Sequence, residues 1–205
     1  IAEHPLRALC FVVFDSETTG LNPDKDAVVQ LGAVRVVNGR IVKEEVFDTL
    51  VSPPIPIPAS ATKIHGIEQA MVADAPPMSQ ANAAFHRFAH DAVIVAHNAP
   101  FDMAFLHRET TLSGLHFDNP ILDTVHLSAI IFGGSAEHTL DAIAARLQIT
   151  IPDAARHSAL GDAMATAQVL VAFLPILEAR GFDTLANLRT EVQKYSRILK
   201  VADGG

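Results

Sequence analysis

The residue pattern predicts an α/β fold, a mixed sheet with helices on both faces. Three observations carry that reading. The first 50 residues hold three β-type runs, and the second and third are joined by Asn38-Gly39, a strong signal for a two-residue hairpin. From residue 79 onward, short apolar runs alternate with segments of helical periodicity, the order expected when helices cross a sheet. Between these halves lies PPIPIP, residues 53–58, whose prolines forbid a central strand or a helix interior and make it a crossing loop.

The elements follow in order. Cys10 to Asp15 is a short β run whose Phe11-Val12-Val13-Phe14 core reads as buried. Ala27 to Val37 (AVVQLGAVRVV) is a second run, rich in β-branched residues. Arg40 to Leu50 (RIVKEEVFDTL) pairs back as a third, partly exposed antiparallel strand. A helix is expected over Ser79 to His90, a β run at Ala92 to His97 (AVIVAH) and a helix over Phe101 to Thr111. A short β piece, Ile121 to Asp123, precedes helices near Thr124 to Phe132, Thr139 to Leu147, Ser158 to Leu177 and Thr184 to Leu199. The last of these has Leu185, Leu188, Val192, Tyr195 and Leu199 at helical spacing, which predicts packing on the body.

Composition narrows the function. With 205 residues, one core can form without disulfides or metals. No repeat or low-complexity linker divides the chain, so residues 1–205 read as one domain, with a core over about 9–180 and a C-terminal helix over about 183–200. No stretch approaches the roughly 18 uninterrupted apolar residues of a membrane helix, and Glu3, His4 and Arg7 interrupt the only apolar start, so neither a membrane partner nor a signal peptide is expected. Cys10 is the sole cysteine, which excludes a disulfide framework and points to a reducing cytoplasm. A start at Ile1 rather than Met and a Gly204-Gly205 end are expected of a segment of something longer. The net charge of −8 argues against a protein that grips long duplexes through many phosphate contacts. It leaves room for an enzyme that handles a few nucleotides at a cleft where bound cations reverse the local sign.

Three stretches carry chemistry. FDSETTG (14–20) ends a buried strand in two acids spaced by two, so Asp15 and Glu17 face the same way. A solvated strand end would look the same; a divalent-cation cradle explains why two carboxylates crowd there. Thr18-Thr19-Gly20 lets the backbone turn close to a ligand, with amides and hydroxyls free to meet a sugar or phosphate. HNAPFD (97–102) closes the run AVIVAH, and Pro100 suits a first helical turn. Asp102 then sits where a helix dipole favours an anion, either as an ordinary helix start or as a third carboxylate at the sheet edge where open α/β folds bind ligands. HSALGDA (157–163) opens an Ala-rich helix with Ser158 as its N-cap. That places His157 on the preceding loop, able to reach a cleft independently of Asp162. His86, His90, His107, His116 and His126 read as structural or merely exposed.

FDSETTGL, HNAPFDMAFL and RHSALGDA, in this order and at these separations, resemble the three motifs of the DEDDh 3′–5′ exonucleases, and are most similar to the proofreading exonuclease subunits of bacterial DNA polymerase III. KIHGI (63–67) with the following MVADAP, and LDT (122–124) with HTLDAIAARL (138–147), fit the same family. The resemblance implies a ribonuclease H-like fold with a five-stranded mixed sheet. It implies Asp15, Glu17, Asp102 and Asp162 as ligands of two Mg²⁺ or Mn²⁺ ions, His157 as general base, and a terminal-nucleotide pocket lined by Thr18, Gly20, His65 and Phe101. It departs in Ser16, between the first two acids, and in Gln30, where an acid is often found. The implied partner is a nucleic-acid 3′ end, single-stranded or frayed, with a DNA polymerase or a neighbouring domain of a longer chain as further partner. The catalytic set is equally that of RNA-trimming relatives such as oligoribonuclease or ribonuclease T. Two other readings compete less well. A haloacid-dehalogenase-type phosphatase needs a second aspartate where Glu17 stands, and a non-catalytic nucleic-acid-binding module would place Lys and Arg where this chain has Asp and Glu.

Overall fold

The computed structural model describes the backbone of residues 2–203 and the side chains of residues 2–195. Strands β1 (Cys10–Thr18), β2 (Val28–Val37) and β3 (Arg40–Leu50) form an antiparallel meander, and β4 (Val93–Ala96) and β5 (Ile121–Asp123) continue it in parallel on the far side of β1. The order is β3-β2-β1-β4-β5, a five-stranded mixed sheet. Asn38 and Gly39 both take positive φ, 52° and 71°, as a right-twisted two-residue hairpin requires.

Seven α-helices are described: α1 (Ala59–His65), α2 (Met78–Ala89), α3 (Ala99–Ser113), α4 (Thr124–Phe132), α5 (Leu140–Arg146), α6 (Ala159–Ala179) and α7 (Leu185–Asp203). They cover both sheet faces. Phe11 and Val13 of β1 join Val34, Val36, Val93 and Val95 in a core with α4, α5, α6 and α7. Val12 and Phe14 point the other way, with Leu31, Ala33 and Ile94, against α2 and α3. Two covered faces explain why β1, β2 and β4 carry nearly continuous apolar runs, while the edge strand β3 stays partly exposed. In α7, Leu185 and Leu188 are buried and Val192 and Tyr195 pack on the core as expected; Leu199 lies outside the described side chains.

Two expectations need amendment. Nothing in the periodicity predicts α1, which has only seven residues; it begins after Pro58 and is stopped by Gly66 at φ 74°, a left-handed cap that glycine adopts without steric cost. And β1 runs three residues beyond Asp15, because β2 continues to pair with it: Asp15 lies opposite Gly32 and Glu17 opposite Gln30, with an irregularity between Glu17 and Thr18. Both acids are therefore held in the sheet.

Helix α6 is long and apolar enough by length and composition to cross a bilayer. Its apolar side chains, Leu170, Phe173, Leu174 and Leu177 among them, are buried against β1 and β2. The close seat depends on Gly32: a Cβ there would collide with the backbone of Ala159 and Leu160. Beside it, Gln30 Oε1 accepts from the Ala159 amide at 2.9 Å, satisfying one of the donors that a helix start leaves unpaired. Gly32→Val is expected to destabilise the protein by about 1–3 kcal/mol and to weaken divalent-cation binding, because α6 must lift off the strand that carries Asp15 and Glu17. Urea unfolding together with Mn²⁺ titration checks both effects.

Candidate functional site

At the end of β1, alternation sends Asp15 and Glu17 toward α6 and Ser16 toward α3. Asp162 meets the two acids from the first turn of α6, and one ligand atom from each of Asp15, Glu17 and Asp162 lies within 4.8 Å of the others. Asp102 stands beside this group on the first turn of α3. It is the largest electrostatic neighbour of Asp15, and the Ser16 hydroxyl donates to its Oδ1. The three stretches singled out in the sequence thus converge at one sheet edge.

The helix starts are fixed by local bonds. Asp123, at the end of β5, is buried and accepts from the amides of Asn98 (2.9 Å), Ala99 (3.0 Å) and Val125 (2.9 Å). One carboxylate thereby ties the turn into α3 to the start of α4, and Asn98 takes a left-handed φ of 64° to make that turn. Ser158 caps α6 as expected, its side chain accepting from Gly161 at 3.1 Å. His157 lies on the preceding loop, exposed and at φ 68°, with its amide donating to Asp162 Oδ1 at 3.2 Å.

Crowding leaves Asp15, Glu17 and Asp102 hard to ionise. Burial first, and then Asp102, Glu17 and Asp162, hold the Asp15 carboxyl well above its ordinary range. Burial and the charges of Asp162 and Asp102 push Glu17 up to about 8, partly offset by Arg156. Burial raises Asp102 to about 7 against the opposing Ser16 bond. A hard divalent cation relieves this repulsion, and an all-oxygen donor set suits Mg²⁺ or Mn²⁺ better than zinc. The residues present fit such ions.

The four residues expected to line a nucleotide pocket are placed as follows. Thr18 ends β1 and Gly20 lies in the bend that follows, and His65, at the end of α1, donates from Nε2 to the Thr18 carbonyl at 3.1 Å. Its Nδ1 accepts from the Ile67 amide at 3.0 Å, so the ring is the neutral Nε2–H tautomer; burial lowers its pKa. Phe101 immediately precedes Asp102 and packs edge-on against Phe105 at 5.2 Å between centroids. One expectation is corrected: the hydroxyls of Thr18 and Thr19 are not free. Thr18 donates to the Gly20 carbonyl at 2.6 Å and Thr19 to Asp26 at 2.9 Å. Short hydroxyl side chains in a tight turn find local acceptors first. A Cβ at Gly20 would meet the Asp26 carboxylate at 2.5 Å and displace it from its bonds to Thr19 and Asn22.

Arg156, Asp123 and Asp26 were not singled out from the sequence. Arg156 directly precedes His157, and its Nη1 donates to Asp162 Oδ1 at 2.7 Å. A basic residue beside an otherwise acidic motif was the available signal. Two cavities of about 470 and 530 Å³ lie beside the starts of α6 and α3, and neither is lined by Asp15, Glu17, Asp102 or Asp162.

A sequence profile described as "Exonuclease" matches residues 12–170. The chain belongs to this exonuclease family. It is 56% identical over 201 residues to a DNA polymerase III subunit epsilon-like protein of Rhodobacter capsulatus, covering 98% of this chain and 29% of that one. It is 37% identical over 180 residues to a PolC-type DNA polymerase III of Caldanaerobacter subterraneus, covering 88% and 13%. The chain therefore spans less than a third of the length of these relatives. Among solved structures, it resembles Exonuclease X in complex with 5′-overhanging duplex DNA (TM-score 0.68, 27% identity, 87% of this chain and 98% of that one). It also shares the fold of the nuclease domain of 3′hExo, a DEDDh family member bound to rAMP (TM-score 0.72, 17% identity, 84% and 95%). The family resemblance and the ribonuclease H-like architecture read from the sequence are borne out.

The raised carboxylates fix a sign for stability. A group whose folded pKa exceeds its unfolded value contributes stability at low pH that is lost as pH rises through the folded pKa. For Glu17 and Asp102 that loss falls between roughly the ordinary carboxylate range and about 8 and 7 respectively. The metal-free protein is expected to show a lower Tm at pH 8.5 than at pH 6, with Mn²⁺ restoring more at pH 8.5. A metal-free Tm that is flat or rising over this interval would contradict the crowding described.

Proposed function

We propose that the chain is a metal-dependent 3′–5′ exonuclease that hydrolyses DNA from a single-stranded or frayed 3′ end and releases nucleoside 5′-monophosphates. The observation that carries it is the convergence of Asp15, Glu17 and Asp162 within 4.8 Å, with Asp102 beside them, in a chain of the exonuclease family. Asp15, Glu17, Asp102 and Asp162 would hold two Mg²⁺ or Mn²⁺ ions. Bound there, the pair supplies Lewis acidity to the scissile phosphate, an activated water and charge neutralisation for the leaving oxygen.

The chain's own groups do the rest. His157, exposed at the rim one residue before the α6 cap, takes the proton of the attacking water, a role suited to an imidazole near neutral pH. Phe101 offers an aromatic edge for a terminal base, and Thr18, Gly20 and His65 bound the sugar side. The small turn at Gly20 lets backbone approach the substrate closely.

DNA is favoured by the similarity to relatives named as DNA polymerase III proteins. The likeness in fold to a nuclease bound to rAMP keeps RNA as the second reading, because discrimination rests on contacts to the 2′-OH. With a net charge of −8, grip on a long strand would come from a polymerase or a neighbouring domain. The deciding experiment compares 3′-labelled DNA and RNA oligonucleotides, single-stranded and mismatched, in Mg²⁺, Mn²⁺ and chelator. Preferential release of dNMP, abolished by chelator, supports the proposal; intact 3′ ends in Mn²⁺ overturn it.

Two substitutions probe the roles. Asp15→Ala or Asp162→Ala is expected to lower the rate of nucleotide release by at least about 10³-fold, since each removes a cation ligand. His157→Ala is expected to lose about 10²–10⁴-fold in kcat while keeping its calorimetric Mn²⁺ affinity; lost affinity would make His157 a ligand instead.

A further inference from the structure

Arg156 makes an ion pair with a member of the acid cluster, and among the described residues it is the only Lys or Arg that does so. Its guanidinium is held at both ends. Nη1 donates to Asp162 Oδ1 at 2.7 Å, while Nε and Nη2 donate to the two oxygens of Asp141 at 3.0 and 3.3 Å. The two anchors differ: the Asp162 side chain is 11% exposed and lies among the acids, whereas that of Asp141 is 69% exposed on the first turn of α5.

This geometry sets up a competition. A cation that takes Asp162 must contend with a guanidinium already seated on Oδ1. Arginine keeps its charge at any working pH, so it cannot yield by losing a proton; it must move. The paired bonds to Asp141 limit how far. A guanidinium released from Asp162 and still forked onto Asp141 remains beside His157, at the rim where a phosphodiester would enter, with Nη1 unpaired. A planar fork of N–H donors matches phosphate oxygens well.

Resting on the exonuclease reading above, we propose that Arg156 is a two-position cation. It neutralises Asp162 before metal binds, and afterwards turns on its Asp141 anchor to bind a phosphate of the substrate strand. It is thus a substrate-binding residue for the reaction and a competitor of the divalent ion for one ligand.

The test uses Mn²⁺ calorimetry on the metal-free protein and steady-state release from a 3′-labelled single-stranded oligonucleotide. Arg156→Gln should bind Mn²⁺ about threefold more tightly, the scale of a partly exposed ion pair. Its KM should rise at least about tenfold, as for a lost bond to a charged group, and the magnitude of its salt slope in log(kcat/KM) should fall by about 0.7, as for one phosphate contact on a single strand. Asp141→Asn, which loosens the outer anchor only, should raise KM without tightening Mn²⁺. Arg156→Lys keeps the charge and should give an intermediate KM, and it serves as the readout if the glutamine variant fails to fold. A purely structural role would weaken or leave unchanged the metal affinity of Arg156→Gln; that result, or an unchanged KM and salt slope, overturns the proposal. Wild-type protein that neither binds Mn²⁺ nor releases nucleotides in the same assays would instead sink the exonuclease reading itself.

Discussion

The structure is organised around a repulsion. Four carboxylates meet at one end of β1, two of them in the strand itself and two on the first turns of helices, and burial deprives them of the water that would separate their charges. Left alone, such a group would spread apart or take up protons, and the elevated affinities of Glu17 and Asp102 for a proton show the second response. What prevents the first is the rigidity of the surroundings. The sheet is covered on both sides by packed apolar side chains, and the continued pairing of β1 with β2 through Asp15 and Glu17 holds those two residues in the strand.

Rigid delivery of the other two acids adds a few polar contacts to the packing of α3 and α6 on the sheet. Asp123 gathers amides from two helix starts, which sets the direction of α3 and so of Asp102. Gln30 and Gly32, two apart on β2 and facing α6, act together: one removes the side chain that would block close approach and the other bonds the exposed amide of the arriving helix. A glutamine at position 30 thus has a task that an acid would also perform through its oxygen, while adding no further negative charge.

Much of this was legible in the sequence because the signals were local. The hairpin at Asn38-Gly39, the proline-rich crossing loop, the N-cap at Ser158 and the strand parity of Asp15 and Glu17 each follow from one or two residues and backbone sterics. What was not legible depends on contacts between distant segments. The extension of β1 to Thr18 is set by its pairing with β2, not by its own composition. The Thr19 hydroxyl was assigned to a ligand because its acceptor, Asp26, meets it only when the chain folds back. Helix α1 is too short for periodicity to mark, although Gly66 after Lys63-Ile64-His65 was a stop signal. Arg156 was hidden by its neighbour: the histidine drew the chemical reading, and the partner of the arginine on α5 is invisible without the fold.

The order in which the acids occur along the chain has a consequence for synthesis. Asp15 and Glu17 leave the ribosome before Asp162, which waits for α6, whose docking also closes one apolar face of β1 and β2. Until then the nascent polypeptide shows an uncovered greasy surface and an incomplete set of ligands. Completion of the hydrophobic core and assembly of the full carboxylate set thus become a single event.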